Sequence, residues 1–318
     1  MTATSAPAAE MPKRPHRFIR FLRSLALLRE SYIGMFGAFL VLFWIAMALG
    51  ADLMPLRDPL AQSGPDLLRP AMFPAPDGGL YWLGTDDKGR DILSRLIYGS
   101  RLVLFWSILA TIVAYAVGML LGVMAGYRGG WWDEIISFFG NVLLSFPQMV
   151  LYLVILTNFG PNSDLGRYLA KTFGMSGVVV SGIIIIFAIT FSVAPQVARI
   201  VRGLVLDLKT RDYIAAAEVR GERPLYIMVV ELLPNARGPL IVDSCLRLGY
   251  VIIAIAVLGF LSLGLPPPDP DWGKMISEVR GFGAIAANAM IWPAMAISSL
   301  VLGLNLLADG LREISLRD

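Results

Sequence analysis

DYIAAAEVRGERPLYIMVVELLPN, residues 212–235, decides how this chain is read. The stretch is polar, basic and helical in pattern, yet the segments on either side are apolar enough to cross a bilayer. In a chain otherwise committed to lipid, an ordered polar insert of this kind offers a place for a soluble protein to dock. Thr210 or Asp212 is placed to cap a helix whose apolar face holds Tyr213, Ile214 and Ala217. Gly221 breaks or sharply bends that helix, and Arg223-Pro224 restarts one, because proline is tolerated in a first helical turn. The second piece closes at Pro234-Asn235. About 40 residues separate the flanking apolar runs, too many for a simple hairpin. On pattern alone, an ordinary amphipathic connector is the alternative to a docking element.

Outward from the insert, the chain of 318 residues is 56% hydrophobic, above the roughly 45–50% of soluble domains. A span needs roughly 20 apolar residues. Six runs qualify, at about 32–53, 102–126, 134–157, 177–198, 239–265 and 289–308. The expected fold is an all-α polytopic membrane protein with six transmembrane helices. The third run carries Pro147, whose freed backbone acceptor neighbouring helices can satisfy. The expected division is a basic tail (1–31), a first helix (32–53), an external loop with a short helix (54–101), a five-helix core (102–311) holding the insert (199–238), and a second tail (312–318).

Lysine and arginine set orientation, counted over short flanks. With the N-terminus inside, 16 lie in internal segments and ten outside, and six of those ten sit in one long loop. Both termini are therefore expected in the cytoplasm. Arginines at 14, 17, 20 and 23 oppose Phe18, Phe21, Leu22, Leu25 and Leu28. That suits a basic amphipathic helix on an anionic leaflet; a plain positive-inside flank fits equally. The leader and the first apolar run are too long for a cleaved signal peptide.

Prolines at 55, 59, 65, 70, 74 and 76 mark the external loop. Its end, Gly84 to Asp91, superficially resembles a phosphate-binding loop but has Arg90 and Asp91 at the last two positions. No strand precedes it, so a structured cap over the external mouth is expected instead. Gly118, Gly122 and Gly126 form a ridge for close helix approach, serving either internal packing or a dimer seam. Trp131, Trp132, Trp272 and Trp292 are candidates for the interfacial aromatic belt.

Asp243 and Arg247, four apart inside the fifth run, share a helix face and can pair. Intramembrane charge faces a bundle interior or an aqueous cavity. The pair is either a gate or path-lining element, or a neutralised structural pair with Arg247 snorkelling to the interface.

Catalysis finds no support. His16 is the sole histidine and lies in the basic tail, and Cys245 is the sole cysteine. That leaves no imidazole for a triad or a histidine-ligated metal site. A net charge of +3 is too small to argue for nucleic acid. A channel would normally show selectivity rings or filter loops, and none is legible.

The insert resembles the cytoplasmic segment of permease subunits of binding-protein-dependent ABC importers, E-A-A-x3-G-x9-I-x-L-P. Here Ala215-Ala216-Ala217 precedes Gly221 by three residues, and Leu233-Pro234 follows at the matching distance. Ala215 stands at the family's Glu position and Glu231 at its Ile position. Three further stretches, at 83–101, 258–276 and 305–313, resemble the dipeptide/oligopeptide class of these permeases. The resemblance implies a type I importer permease fold with an extra N-terminal helix. It implies coupling helices using Tyr213, Ala215, Ala216, Ala217, Glu218, Gly221, Pro224, Leu233 and Pro234, with Ala216, Ala217 and Gly221 at the contact. It also implies a second similar permease, two ATPase subunits that hold the ATP, an external binding protein, and no cofactor in this chain. The cargo would be peptides, or alternatively nickel complexes, glutathione, opines or sugars.

Overall fold

Among the described residues, five helices are long and apolar enough to cross a bilayer, and one bent pair counts as a sixth if its two halves form a single span. The computed structural model describes residues 31–315 apart from 65, 162 and 267. The expected amphipathic helix over 14–29, the rest of the tail before residue 31, and residues 316–318 lie outside the described residues.

The spans are α1 (Tyr32–Gly50), α2 (Ile92–Arg128), the pair α3 (Gly130–Ser145) and α4 (Gln148–Phe159), α6 (Gly177–Leu208), α9 (Arg237–Phe260) and α11 (Ala287–Ser315). Between them lie α5 (Asp164–Phe173), the insert helices α7 (Asp212–Val219) and α8 (Pro224–Asn235), and α10 (Trp272–Val279). A two-residue hairpin pairs β1 (Phe73–Pro74) with β2 (Leu80–Tyr81) in the loop before α2.

The short helix expected before the second span is not separate: α2 runs unbroken for 37 residues. Asp91 starts it, its carboxylate accepting from the Ser94 N–H at 2.8 Å and the Ser94 hydroxyl at 2.6 Å, which satisfies an otherwise orphaned donor of the first turn. The third span is broken rather than merely kinked. Phe146 and Pro147 are extended, and α3 and α4 meet at 90°. Proline disfavours the helical region for the residue before it, so the turn falls at Phe146.

The glycine ridge packs internally. A Cβ on Gly118 would lie 2.6 Å from the Val197 Cβ, and one on Gly122 would lie 2.6 Å from the Ala198 carbonyl oxygen. Gly126 meets Val205 in the same way. The register rises together along both helices, so α2 and α6 run parallel. A second close crossing joins α1 to α11, where a Cβ on Gly37 would lie 2.7 Å from the Gly303 carbonyl oxygen. Trp44 Nε1 donates to Ser299 Oγ at 2.9 Å along the same seam. Such small-residue contacts are the main source of helix association in lipid.

All loops therefore fall at two ends. The ends of α2, α6 and α11 and the starts of α1, α3 and α9 share the insert side; the remaining termini form the loop side. At the loop side Gly84 to Asp91 folds as a cap. Asp86 Oδ1 accepts from the Lys88 and Arg90 N–H groups, both at 2.9 Å, so the loop's donors close on its own carboxylate. Arg90 joins Asp86 at 2.7 Å and Glu278 of α10 at 2.7 Å, and Arg95 joins Glu278 at 3.2 Å. Asp86, Asp87 and Glu278 approach within 4.8 Å of one another, and the buried guanidinium groups of Arg90 and Arg95, with Lys88 at 3.5 Å from Glu278, offset their charge. Burial, then the neighbouring Asp86 carboxylate, holds the Asp87 carboxyl above its ordinary range.

Trp272 is a correction to the aromatic-belt expectation. Its side chain is fully buried, stacks edge-on with Trp44, and donates from Nε1 to the Leu96 carbonyl at 2.9 Å. Trp292 is partly buried against the same core. Asp271 caps α10 by accepting from Gly273 N at 2.8 Å and Lys274 N at 3.3 Å. Gly259 and Gly264 pack against this carboxylate, leaving no room for a Cβ at either, and Oδ2 has no partner among the described residues. Burial pushes the Asp271 carboxyl up to about 6. The folded state thus keeps a proton that the unfolded chain releases from an ordinary carboxyl. Stability contributed by that proton is present in acid and is lost as pH rises through about 6.

Candidate functional site

The insert is built as a rigid two-piece protrusion. Arg211 stands at the N-cap of α7 with no side-chain cap bond, so neither Thr210 nor Asp212 caps it. The helix ends in a Schellman turn. Gly221, at φ +75°, donates its N–H to the Glu218 carbonyl at 2.9 Å, and Glu222 donates to the Ala217 carbonyl at 3.2 Å. Only glycine adopts this left-handed position freely. Pro224 then starts α8, whose middle, Ile227–Leu232, widens into a π-helical stretch before Leu233-Pro234-Asn235.

One face of the insert belongs to the main core. Ile214, Ala217, Ile227, Met228 and Leu232 are buried and continuous with Val201 and Val205 of α6 and Leu240 of α9. Tyr213, Leu233 and Pro234 are half-buried. The opposite face is open: Ala215, Ala216, Glu218, Gly221 and Pro224 are exposed, with Val219 at 89% and Leu225 at 68%. Ala217, grouped with Ala216 in the sequence reading, faces inward. The spacing explains this, since Ala217 lies three residues after the buried Ile214 on one helix face. Val219 and Leu225 were not singled out from the sequence. Their signal was an apolar residue on each side of the Gly221 turn. Lys209 Nζ ties the root of the insert to the Tyr127 carbonyl at 2.7 Å, and Glu218 reaches the Tyr127 hydroxyl at 3.4 Å.

Asp243 and Arg247 pair as the spacing predicts, Nε to Oδ2 at 3.2 Å. Two partners that the sequence did not reveal extend the pair. The Tyr115 hydroxyl of α2 donates to Asp243, and Arg247 Nη1 donates to the Gln196 side-chain oxygen of α6. The chain Tyr115–Asp243–Arg247–Gln196 thus links α2, α9 and α6. Gln196 was visible as a polar residue in an apolar run; Tyr115 carried no signal. A groove of about 380 Å³ between α2 and α9 is lined by Tyr115, Thr111 and Cys245 among others, but by neither Asp243 nor Arg247.

The chain belongs to the family of binding-protein-dependent transport system inner membrane components, whose model matches residues 118–317. It is 32% identical over 310 residues to the dipeptide transport system permease protein DppC of Haemophilus influenzae, covering 98% of this chain and 97% of that one. It is 39% identical to the glutathione transport system permease protein GsiD of Pectobacterium atrosepticum, over 73% of this chain and 71% of that one. Among solved structures, the MetNI methionine ABC transporter in inward-facing conformations superposes with a TM-score of 0.53. That match covers 70% of this chain and 97% of the other at 19% identity, and it shows the fold alone. The chain is therefore a multi-pass inner-membrane permease of an ABC importer and not an enzyme. A binding protein and an ATPase complete such a system, and ATP is bound by the ATPase.

Proposed function

We propose that this permease carries a peptide-sized solute inward, with the insert side cytoplasmic and both termini there. The identity to DppC along nearly the whole chain carries the cargo reading, and the identity to GsiD supports glutathione as a second candidate. The excess of Lys and Arg on the insert side supports the orientation. A second, similar permease encloses the path with this one, as membership of the binding-protein-dependent importer family suggests.

In this account the ATPase grips Ala215, Ala216, Val219 and Leu225 around the Gly221 turn. The buried face of the insert then carries the displacement into α6 and α9 as a rigid body, which is how alternating access proceeds in such bundles. The experiment is reconstitution of the full complex in proteoliposomes with its binding protein. Uptake of labelled dipeptide or glutathione that needs ATP supports the reading. Conductance without ATP would point to a channel instead.

We assign Asp243 and Arg247 to stapling helices rather than to lining the path. Arg247→Leu is then expected to cost about 3–5 kcal/mol, because Asp243 is left charged and unpaired. Exchanging the two residues should retain assembly and uptake, since the Tyr115 hydroxyl and the Gln196 amide can each donate or accept. Uptake lost at normal assembly in the exchanged variant would assign the pair to the path.

A further inference from the structure

Between α2, α3 and α6 lies a partly open cavity of about 580 Å³. Its walls are apolar, with Leu121, Ile136, Phe139, Leu144 and Pro195 prominent. Polar groups gather on the α6 side and along one face of α3. Arg202 is held by Asp133, Nε to Oδ1 at 2.5 Å and Nη2 to Oδ2 at 2.6 Å, and Ser137 Oγ bonds Asp133 at 3.1 Å. Arg199 differs. It is exposed, lines the cavity, and has as its partner among the described residues only the Asn141 side-chain oxygen, which accepts from Nη2 at 3.0 Å. No carboxylate among the described residues lies within ion-pair distance of it.

We propose that this cavity is a binding site for an anionic phospholipid, one acyl chain lying in the apolar groove and the headgroup phosphate on Arg199. Three observations favour this occupant. A neutral amide does not balance a guanidinium, whereas a phosphate does so through paired N–H bonds. With Asn141 Oδ1 engaged by Arg199, its amide nitrogen supplies a further donor. The cavity also lies toward the insert side, where Trp131 and Trp132 at the start of α3 are 67% and 40% exposed, as aromatic residues at headgroup level are. Basic pockets between spans on the cytoplasmic side suit anionic headgroups.

The cytoplasmic assignment rests on the orientation proposed above, but the test does not. The whole transporter complex is placed in nanodiscs of phosphatidylcholine containing one part phosphatidylglycerol, which offer anionic lipid to both ends. Lipid retained after transfer to mild detergent is then measured by mass spectrometry of the intact complex. Wild type should retain phosphatidylglycerol in preference to phosphatidylcholine. Arg199→Gln should reduce that preference about fivefold, the scale of one basic side chain at an anionic surface.

Gly140→Leu is the second variant. Gly140 lines the cavity, and a Cβ there lies 3.7 Å from the Pro195 Cβ, an ordinary contact. Leucine also suits a helix better than glycine, so the variant fills the groove without straining α3. It should lose both lipids from this site while uptake assays continue to report an assembled complex. Equal phosphatidylglycerol retention in wild type and both variants would overturn the proposal. So would protection of a Gly140→Cys thiol from a lipophilic maleimide by the second permease in delipidated complex, since the groove would then be a subunit seam.

Discussion

Replacing Gly221 with valine is expected to abolish uptake while leaving the protein inserted at normal abundance. A Cβ at Gly221 meets nothing within 4 Å, so the effect is conformational and not steric crowding. At φ +75° a β-branched residue costs about 1–3 kcal/mol. That is enough to unwind a cap held by two backbone bonds, each worth about 1 kcal/mol. The turn between α7 and α8 would relax, and Ala216, Val219 and Leu225 would no longer present one surface. Asparagine tolerates the left-handed region, so Gly221→Asn should restore much of the uptake. Transport into membrane vesicles, normalised to permease by immunoblot, checks both. Normal uptake by Gly221→Val would remove the lever from the account.

Glu278→Ala should cost about 3–5 kcal/mol of stability, because it breaks a buried ionic network rather than a surface pair. Arg90 and Arg95 are 5% and 1% exposed at the side chain, and Glu278 bonds both. Arg95 would then keep only Asp86, at 3.5 Å, while Arg90 would keep Asp86 at 2.7 Å and Asp87 at 3.6 Å. The exposed pair Arg57–Asp77, at 2.6 Å, is the control: Asp77→Ala should cost less than about 1 kcal/mol. Thermal unfolding of the purified protein in detergent separates the two. A Glu278→Ala variant as stable as Asp77→Ala would show that the loop-side cap is held by its apolar contacts alone.

The parts legible in the sequence were those with a strong local signal. Runs of roughly 20 apolar residues located the spans, and Gly118, Gly122 and Gly126 announced a close crossing whose partner, Val197 to Val205, could come only from the fold. Asp91 was the start of α2, but nothing local tells that a short helix after a loop continues unbroken into a span. Pro147 signalled a disturbance, not a 90° bend, because neighbouring helices can satisfy the backbone group a proline frees and keep such a span continuous. Trp272 misled because an amphipathic ring suits both an interface and a core, and the Leu96 carbonyl decided for the core. In the insert, periodicity placed Ile214 and Ala217 on one face; which way that face points is set by α6 and α9. Tyr115 is the clearest case of an unreadable partner, since its role depends on Asp243, 128 residues further along the chain.

The most direct test compares two adjacent alanines. In a Cys245→Ser background, Ala216→Cys and Ala217→Cys are each labelled with a photoactivatable maleimide on permease freed of its ATPase, the transporter is reassembled and irradiated, and the adducts are identified. Ala216 is exposed and Ala217 fully buried, so the account predicts an adduct between position 216 and the ATPase subunit and little labelling at 217. An adduct from position 216 to the binding protein, or none to the ATPase, would contradict it.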